Sequence, residues 1–481
     1  MRRTHLSVAF EVPIVSERAP MISHTYHNNE TSSSGRHDLF RRGSFRLRWP
    51  DRFARIAGTR QRSGSLDRSI SPAASTLSLA SGASEKPKRF GSIDAVRGTA
   101  MLFVCLAHFT GIYLWRTGSR ELASYLGTVG MIASPTFIIV SGMMVGFFAT
   151  TNPAGFRDLR IKLLDRGVFV LAVGHLLLAI TITRSASGFA GAYRTSFITD
   201  AIAVSIIVAP WLMIAWSATP RIAVAASVFL LNWLAVVQWH PAVAGLVTVK
   251  RYLVGIPSGS SAGEILAFPV VPWFAVYLAA TVLGEVVGKM YASGDWKGAH
   301  QLLGRIGGVS FLIAGVIDGA TDVLRRVHVG ANWNEMFFFA IYQKFPPGPV
   351  YLGFFGGAGI VLLAAILEID HRGAFPRVMR ELRQLGRASL FAFIAQYALY
   401  VAFLGRLRLS YTPLWPVLFV FSIIVLTRGA ATWDRYNGNR FLTVGIASIM
   451  KRNRPRSGSA AVRRGEASVL GSRSGRHRAA N

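Results

Sequence analysis

Ten apolar blocks, most close to 20 residues long, recur at 93–115, 124–149, 161–183, 197–217, 221–239, 264–288, 303–322, 349–369, 386–404 and 412–428. A helix of about 20 residues crosses a hydrocarbon core of about 30 Å. Lipid offers no partner for free backbone groups, so a chain of this pattern must cross as helices or as a closed barrel. Blocks of this length fit helices, and the expected fold is an all-α polytopic integral membrane protein with about ten transmembrane helices. Composition agrees: 51% of residues are hydrophobic and only 16% charged, against about 25% charged in a soluble domain.

The net charge of +30 is carried mostly at the two ends. Residues 1–90 hold 16 Lys and Arg against 7 acids, and residues 428–481 hold 12 against 2. Basic segments flanking membrane spans mark cytoplasmic ends under the positive-inside rule, and they suit contact with anionic lipid. No binding fold or aromatic interleaving accompanies the charge, so no nucleic-acid partner is expected. The organisation reads as a disordered basic cytoplasmic tail over 1–90, a membrane domain over 91–428 and a second basic cytoplasmic tail over 429–481. The short loops RDLRIKLLDR (157–166) and HRGAFPRVMRELRQLGR (371–387) fall on the same side as both tails, as an even count of spans requires. No apolar run follows Met1-Arg2-Arg3, so no signal peptide is expected. The single cysteine, Cys105, lies inside the first span and excludes an intramolecular disulfide.

The first span, SIDAVRGTAMLFVCLAHF (92–109), carries ionisable residues in an apolar setting. Such groups are costly in a membrane and raise the expectation of a functional site. Arg97 and His108 are eleven residues apart, which at 100° per residue leaves a remainder of about 20° and an axial separation of about 16 Å. Asp94, Met101 and Cys105 share their stripe. A guanidinium near one end suits an anion such as phosphate, and a deeper neutral imidazole suits proton abstraction. Acyl-coenzyme A has a matching anionic head and a distant reactive end. The same residues also fit a snorkelling arginine with a structural histidine.

Other polar residues form a second tier. Arg157, Arg160 and Lys162 can meet phosphates or serve only to set topology. Arg166 and His175 are nine residues apart, about 180° around an unbroken helix. Asp200 opens the fourth span and fits a cation pair or a helix cap. Asp318 and Asp322, four apart on one face, support a rival reading as a proton-coupled secondary transporter together with His108. A non-catalytic membrane scaffold is a further alternative. Gln396 and Tyr397 read as packing and hydrogen-bonding residues. The histidines are scattered and no H-E-x-x-H or C-x-x-C pattern occurs, so no metal site is expected.

The D-x-x-R-G of Asp94–Gly98 with His108 beyond it resembles the opening motif of the transmembrane acyltransferases, which include the acyltransferase-three family and the heparan-alpha-glucosaminide N-acetyltransferase catalytic-domain family. SPTFIIVSG (134–142), FPVVPWFAVYL (268–278), KFPPGPVYL (344–352) and LGRASLFAFIAQYALY (385–400) resemble the latter more closely. The resemblance covers about 90–428. It implies transfer of an acyl group, usually acetyl, from cytosolic acyl-CoA to a glycan on the far side of the membrane; the expected acceptor is a hydroxyl or amine of a glycan or cell-envelope molecule, and the expected location a bacterial inner membrane. It implies a catalytic role for His108 and a donor-side role for Arg97; the residues themselves add Arg157, Arg160 and Arg166 as expected donor-binding cations and Asp94 and Asp200 as expected accessory residues. Acyl-CoA would be a substrate, and no permanently bound cofactor is expected.

Overall fold

The computed structural model of the chain describes residues 91–114, 119–183, 188–256, 268–327, 338–404 and 413–452. The tail expected over 1–90 and the end of the second tail, 453–481, lie outside the described residues. Helix α1 (Gly91–Phe109) widens at its end into a π-helical turn, Thr110–Leu114. Helices α2 (Arg120–Gly130) and α3 (Ala133–Thr151) together make the second crossing. The third is α4 (Pro153–Phe169), a π turn at Val170–Gly174, and α5 (His175–Ile182). A short α6 (Gly188–Tyr193) leads to the long α7 (Ile198–Ala215) and α8 (Ala218–Gln238), then α9 (Ala244–Leu253). Two long helices follow, α10 (Val270–Ala292) and α11 (Trp296–Val327). The one-turn α12 (Pro349–Tyr351) runs through a π turn, Leu352–Gly356, into α13 (Gly357–His371). Last come α14 (Pro376–Arg387), α15 (Ser389–Tyr397) with a π turn at Ala398–Phe403, α16 (Trp415–Arg435) and α17 (Ile446–Arg452).

Among the described residues, nine helical segments are long and apolar enough to cross a membrane, and Ser389–Val401 is a shorter apolar helix. These ten segments coincide with the ten blocks of the sequence, and the all-α polytopic fold holds. Large apolar side chains are exposed along α8 (Leu230, Leu231, Leu234), α11 (Leu312, Ile313, Val316) and α16 (Val417, Val420, Ile424). A water-soluble monomer avoids apolar patches of this extent; here they face the acyl chains. The last long helix does not stop at residue 428 but continues to Arg435. Beyond it the Asp165 carboxylate accepts from the backbone N–H groups of Val444, Gly445 and Ala447, holding the start of α17 against α4.

Helices in lipid gain little from hydrophobic burial and associate through close packing of small residues. Two G-x-x-x-G pairs do this between α3 and α10. A Cβ at Gly142 would meet the Tyr277 carbonyl, one at Gly146 the Thr281 carbonyl, and one at Gly284 the Met143 backbone, while Gly288 lies against Phe147. Beside this contact α10 is tied to α8 by Arg221, which is 1% exposed. Its guanidinium donates to Thr281 Oγ1 at 2.9 Å and to Glu285 Oε1 at 2.6 Å. Removing one member of a buried ion pair strands the other, at a cost of about 3–5 kcal/mol. Arg221→Met is therefore expected to lower the melting temperature of the purified protein sharply. The double variant Arg221→Met, Glu285→Gln should recover part of that loss.

Candidate active site

The position of Arg97 is set by its neighbour Gly98. A Cβ on Gly98 would overlap the Leu382 carbonyl oxygen of α14, and one on Gly386 would overlap the Asp94 carbonyl oxygen of α1. The two glycines let α1 and α14 touch backbone to backbone, which explains the glycine that follows arginine in D-x-x-R-G. This contact delivers Ser389, at the start of α15, to Arg97: the guanidinium Nη2 donates to Ser389 Oγ at 2.6 Å. Nη1 lies 3.8 Å from the Met144 sulfur on α3. Asp94 is buried one turn earlier, at 3% exposure. Near it Ser92 and Arg383 both bond the Asp370 carboxylate, tying α1 and α14 to the end of α13.

Seven residues beyond Ser389, on the same face of α15, Gln396 meets His108. The Gln396 amide Nε2 donates to His108 Nδ1 at 2.6 Å, and Tyr397 Oη lies 3.2 Å from His108 Nε2. With Gln396 donating, Nδ1 holds the lone pair and Nε2–H donates to the tyrosine oxygen. Phe393 presents its edge to the imidazole at 6.0 Å, and Tyr397 lies tilted over it at 4.5 Å. Thus α15 runs beside α1, with Ser389 at the arginine and Gln396–Tyr397 at the histidine. Both helices widen into π turns directly after these residues, a distortion often found at functional sites. Gln396 and Tyr397, which the sequence offers as packing and hydrogen-bonding residues, do hydrogen-bond, and their partner is His108. The signal that points to them is the seven-residue spacing of Ser389 and Gln396, which parallels the eleven-residue spacing on α1.

His175 and Asp200 also meet. His175 Nδ1 is 3.0 Å from Asp200 Oδ2 and its Nε2 is 2.9 Å from the Tyr193 carbonyl. Asp200 Oδ2 accepts from the Phe197 N–H at 2.8 Å as well, so this carboxylate both caps α7 and pairs with the histidine. The Phe197 ring sits edge-on to His175 at 5.5 Å and to Tyr397 at 6.3 Å, linking this pair to the His108 neighbourhood. The π turn at Val170–Gly174 lies between Arg166 and His175. Its wider i→i+5 winding breaks the regular 100° step on which the half-turn between them depends. Arg166 is half-buried and Arg157 exposed, while Arg160 lies over the exposed Trp211 ring at 4.6 Å. Asp318 accepts from the Ile341 N–H at 3.1 Å, an anchor for the segment before α12.

That segment carries Lys344, whose ammonium lies 5.4 Å from the Phe268 ring centroid and 5.3 Å from that of Phe345. The lysine charge reaches His108. Burial pushes Lys344 down from 10.5 to about 8. A lysine with a lowered pKa binds fewer protons folded than unfolded, so its charging penalty fades as pH rises through 8 towards the unfolded value. The melting temperature should gain from this group between about pH 7 and pH 10, and Lys344→Met should remove that component. Equal pH slopes for the two proteins would contradict it.

The region from the start of α1 to the middle of α11 is the segment with a known counterpart. Residues 89–313 match the family model described as heparan-alpha-glucosaminide N-acetyltransferase, catalytic. The match suggests a membrane acetyltransferase. It contains Arg97, His108, Asp200 and the α3–α10 crossing, while Lys344 and α15 lie beyond it. No curated protein matches the chain.

Proposed function

We propose that this protein is an acyl-CoA-dependent membrane acyltransferase, with acetyl-CoA as donor and a glycan or cell-envelope hydroxyl or amine as acceptor. The observation that carries the reading is the placement of Arg97 and His108 on one face of α1, each held by an opposite end of α15, within the segment that matches an acetyltransferase family. Arg97 binds the anionic part of the donor. Arg157, Arg160 and Arg166, on α4, form the cationic approach for its phosphates, and Asp94 and Asp200 support the two helix starts.

In this reading the reactive thioester reaches His108 while the donor's anionic end stays at Arg97, so that binding supplies the orientation. Gln396 holds the imidazole with its lone pair at Nδ1. As the acceptor oxygen or nitrogen bonds to the thioester carbonyl carbon, its O–H or N–H displaces the Gln396 N–H from Nδ1, and Nδ1 takes its proton. The carbon–sulfur bond then breaks and the imidazolium returns the proton to the departing CoA sulfur. With the basic tails on the cytoplasmic side, as the positive-inside rule favours, the donor enters from the cytosol at the Arg97 end and the acceptor is modified across a bacterial inner membrane. The reading is tested by protein reconstituted in lipid nanodiscs with acetyl-CoA and either methyl α-glucosaminide or methyl α-glucoside. Acceptor-dependent release of free CoA thiol is expected, and its absence with amine and hydroxyl sugars alike would count against the reading.

A further inference from the structure

Of the nine buried side-chain N and O atoms without a hydrogen-bond partner among the described residues, three belong to fully buried side chains around the site: Trp273 Nε1, Tyr277 Oη and Gln396 Oε1. Trp273, Tyr277 and Gln396 are each 0% exposed. A buried polar group left unpaired carries a desolvation cost, and native proteins hold few of them, so each needs an explanation. Trp273 and Tyr277 are one turn apart on one face of α10. The Arg97 charge acts on the Tyr277 hydroxyl. The Trp273 ring has Phe268 at 6.3 Å and Tyr351 at 6.4 Å, and Phe268 in turn lies under the Lys344 ammonium. Gln396 Oε1 belongs to the amide that holds His108. The unpaired atoms thus include one beside Arg97, the Tyr277 hydroxyl, and one beside His108, the Gln396 carbonyl, with the Trp273 indole N–H one turn from Tyr277 on α10.

We infer that these three groups receive the pantetheine arm of the thioester donor. The inference rests on the acyl-CoA reading and deepens it by naming the part of the donor each group recognises. Between its phosphates and its thioester the arm carries two amides. Tyr277 O–H and Trp273 N–H donate to the two amide carbonyls, and Gln396 Oε1 accepts from the amide N–H nearer the sulfur. The spacing agrees. Four residues of α10 rise about 6 Å, and two carbonyls separated by a β-amino acid unit lie about 5 Å apart, one methylene beyond the peptide repeat of about 3.5 Å. The core keeps these groups unpaired because the donor pairs them.

Tyr277→Phe isolates the claim, because it removes only an oxygen that has no protein partner. Binding is read as the concentration dependence of the thermal shift for acetyl-CoA, for S-acetylpantetheine and for adenosine 3′,5′-bisphosphate. The variant is expected to bind acetyl-CoA and S-acetylpantetheine about 5–10-fold more weakly, the loss of one hydrogen bond. It should bind the bisphosphate unchanged, and its ligand-free melting temperature should equal or exceed the wild-type value. Trp273→Phe should weaken the same two ligands, with a lower melting temperature from the void it leaves. Undiminished S-acetylpantetheine binding by Tyr277→Phe, or an equal loss for the bisphosphate, would overturn the assignment and leave the acyl-CoA reading standing. A wild-type protein that responds to none of the three ligands would overturn both.

Discussion

His108→Ala is expected to reduce acceptor-dependent CoA release by about 10²–10⁴-fold, the range general-base catalysis contributes, which corresponds to about 2.7–5.5 kcal/mol of lost transition-state stabilisation. The protein should stay folded. His108 is half-buried rather than a keystone of the core, and its two ring nitrogens bond side chains of a single helix, α15. Donor binding should also persist, because the donor's anionic end meets Arg97 about 16 Å away along α1. The expected pattern is thus a collapse of kcat with a near-normal acetyl-CoA thermal shift. A structural histidine would give the reverse: a lowered melting temperature with turnover falling only in proportion to folded protein. Gln396→Leu separates these roles further, since it keeps the imidazole but removes the group that sets its tautomer. Its loss in kcat should be smaller than that of His108→Ala.

Gly98→Val is expected to have the largest effect on assembly. The added carbons would overlap the Leu382 carbonyl oxygen, and backbone on both sides leaves no flexible end to yield. Overpacking commonly costs about 1–3 kcal/mol where side chains can shift, and a backbone clash should fall at or above the upper end. Separating α1 from α14 would also withdraw Ser389 from Arg97, so any folded fraction should bind acetyl-CoA poorly. Gly386→Val, which meets the Asp94 carbonyl oxygen from the other helix, should behave alike. Gly304→Ala is the control: nothing lies within 4 Å of its added Cβ, and alanine favours a helix by about 1 kcal/mol. Size-exclusion profiles and melting temperatures of the three variants test the contrast.

The spans were legible because length and hydropathy are local properties and the bilayer imposes both. The Arg97–His108 face was legible for the same reason, since α1 is regular from Gly91 to Phe109. The π turns that follow His108, precede His175 and follow Tyr397 were not, because no proline marks VLAVG or ALYVAF. Arg166 and His175 show the consequence: their predicted half-turn separation needed an unbroken helix. Partners across the fold were also invisible. Nothing near Arg97 in the chain names Ser389, 292 residues away, and nothing near His108 names Gln396, 288 residues away. The glycines that permit those meetings were in plain sight, Gly98 within the motif itself, but a glycine does not announce which backbone it admits. Asp200 was read as a cap or as one half of an ion pair, and it is both.

The most direct test of the account is the thermal stability of the purified protein against rising acetyl-CoA, with Arg97→Ala measured beside it. A ligand that binds only the folded state raises the melting temperature with concentration. The account predicts a rise in the wild type and a weaker rise, displaced to higher concentration, in Arg97→Ala. A melting temperature indifferent to acetyl-, succinyl- and longer acyl-CoA, or an identical response in the two proteins, would contradict it.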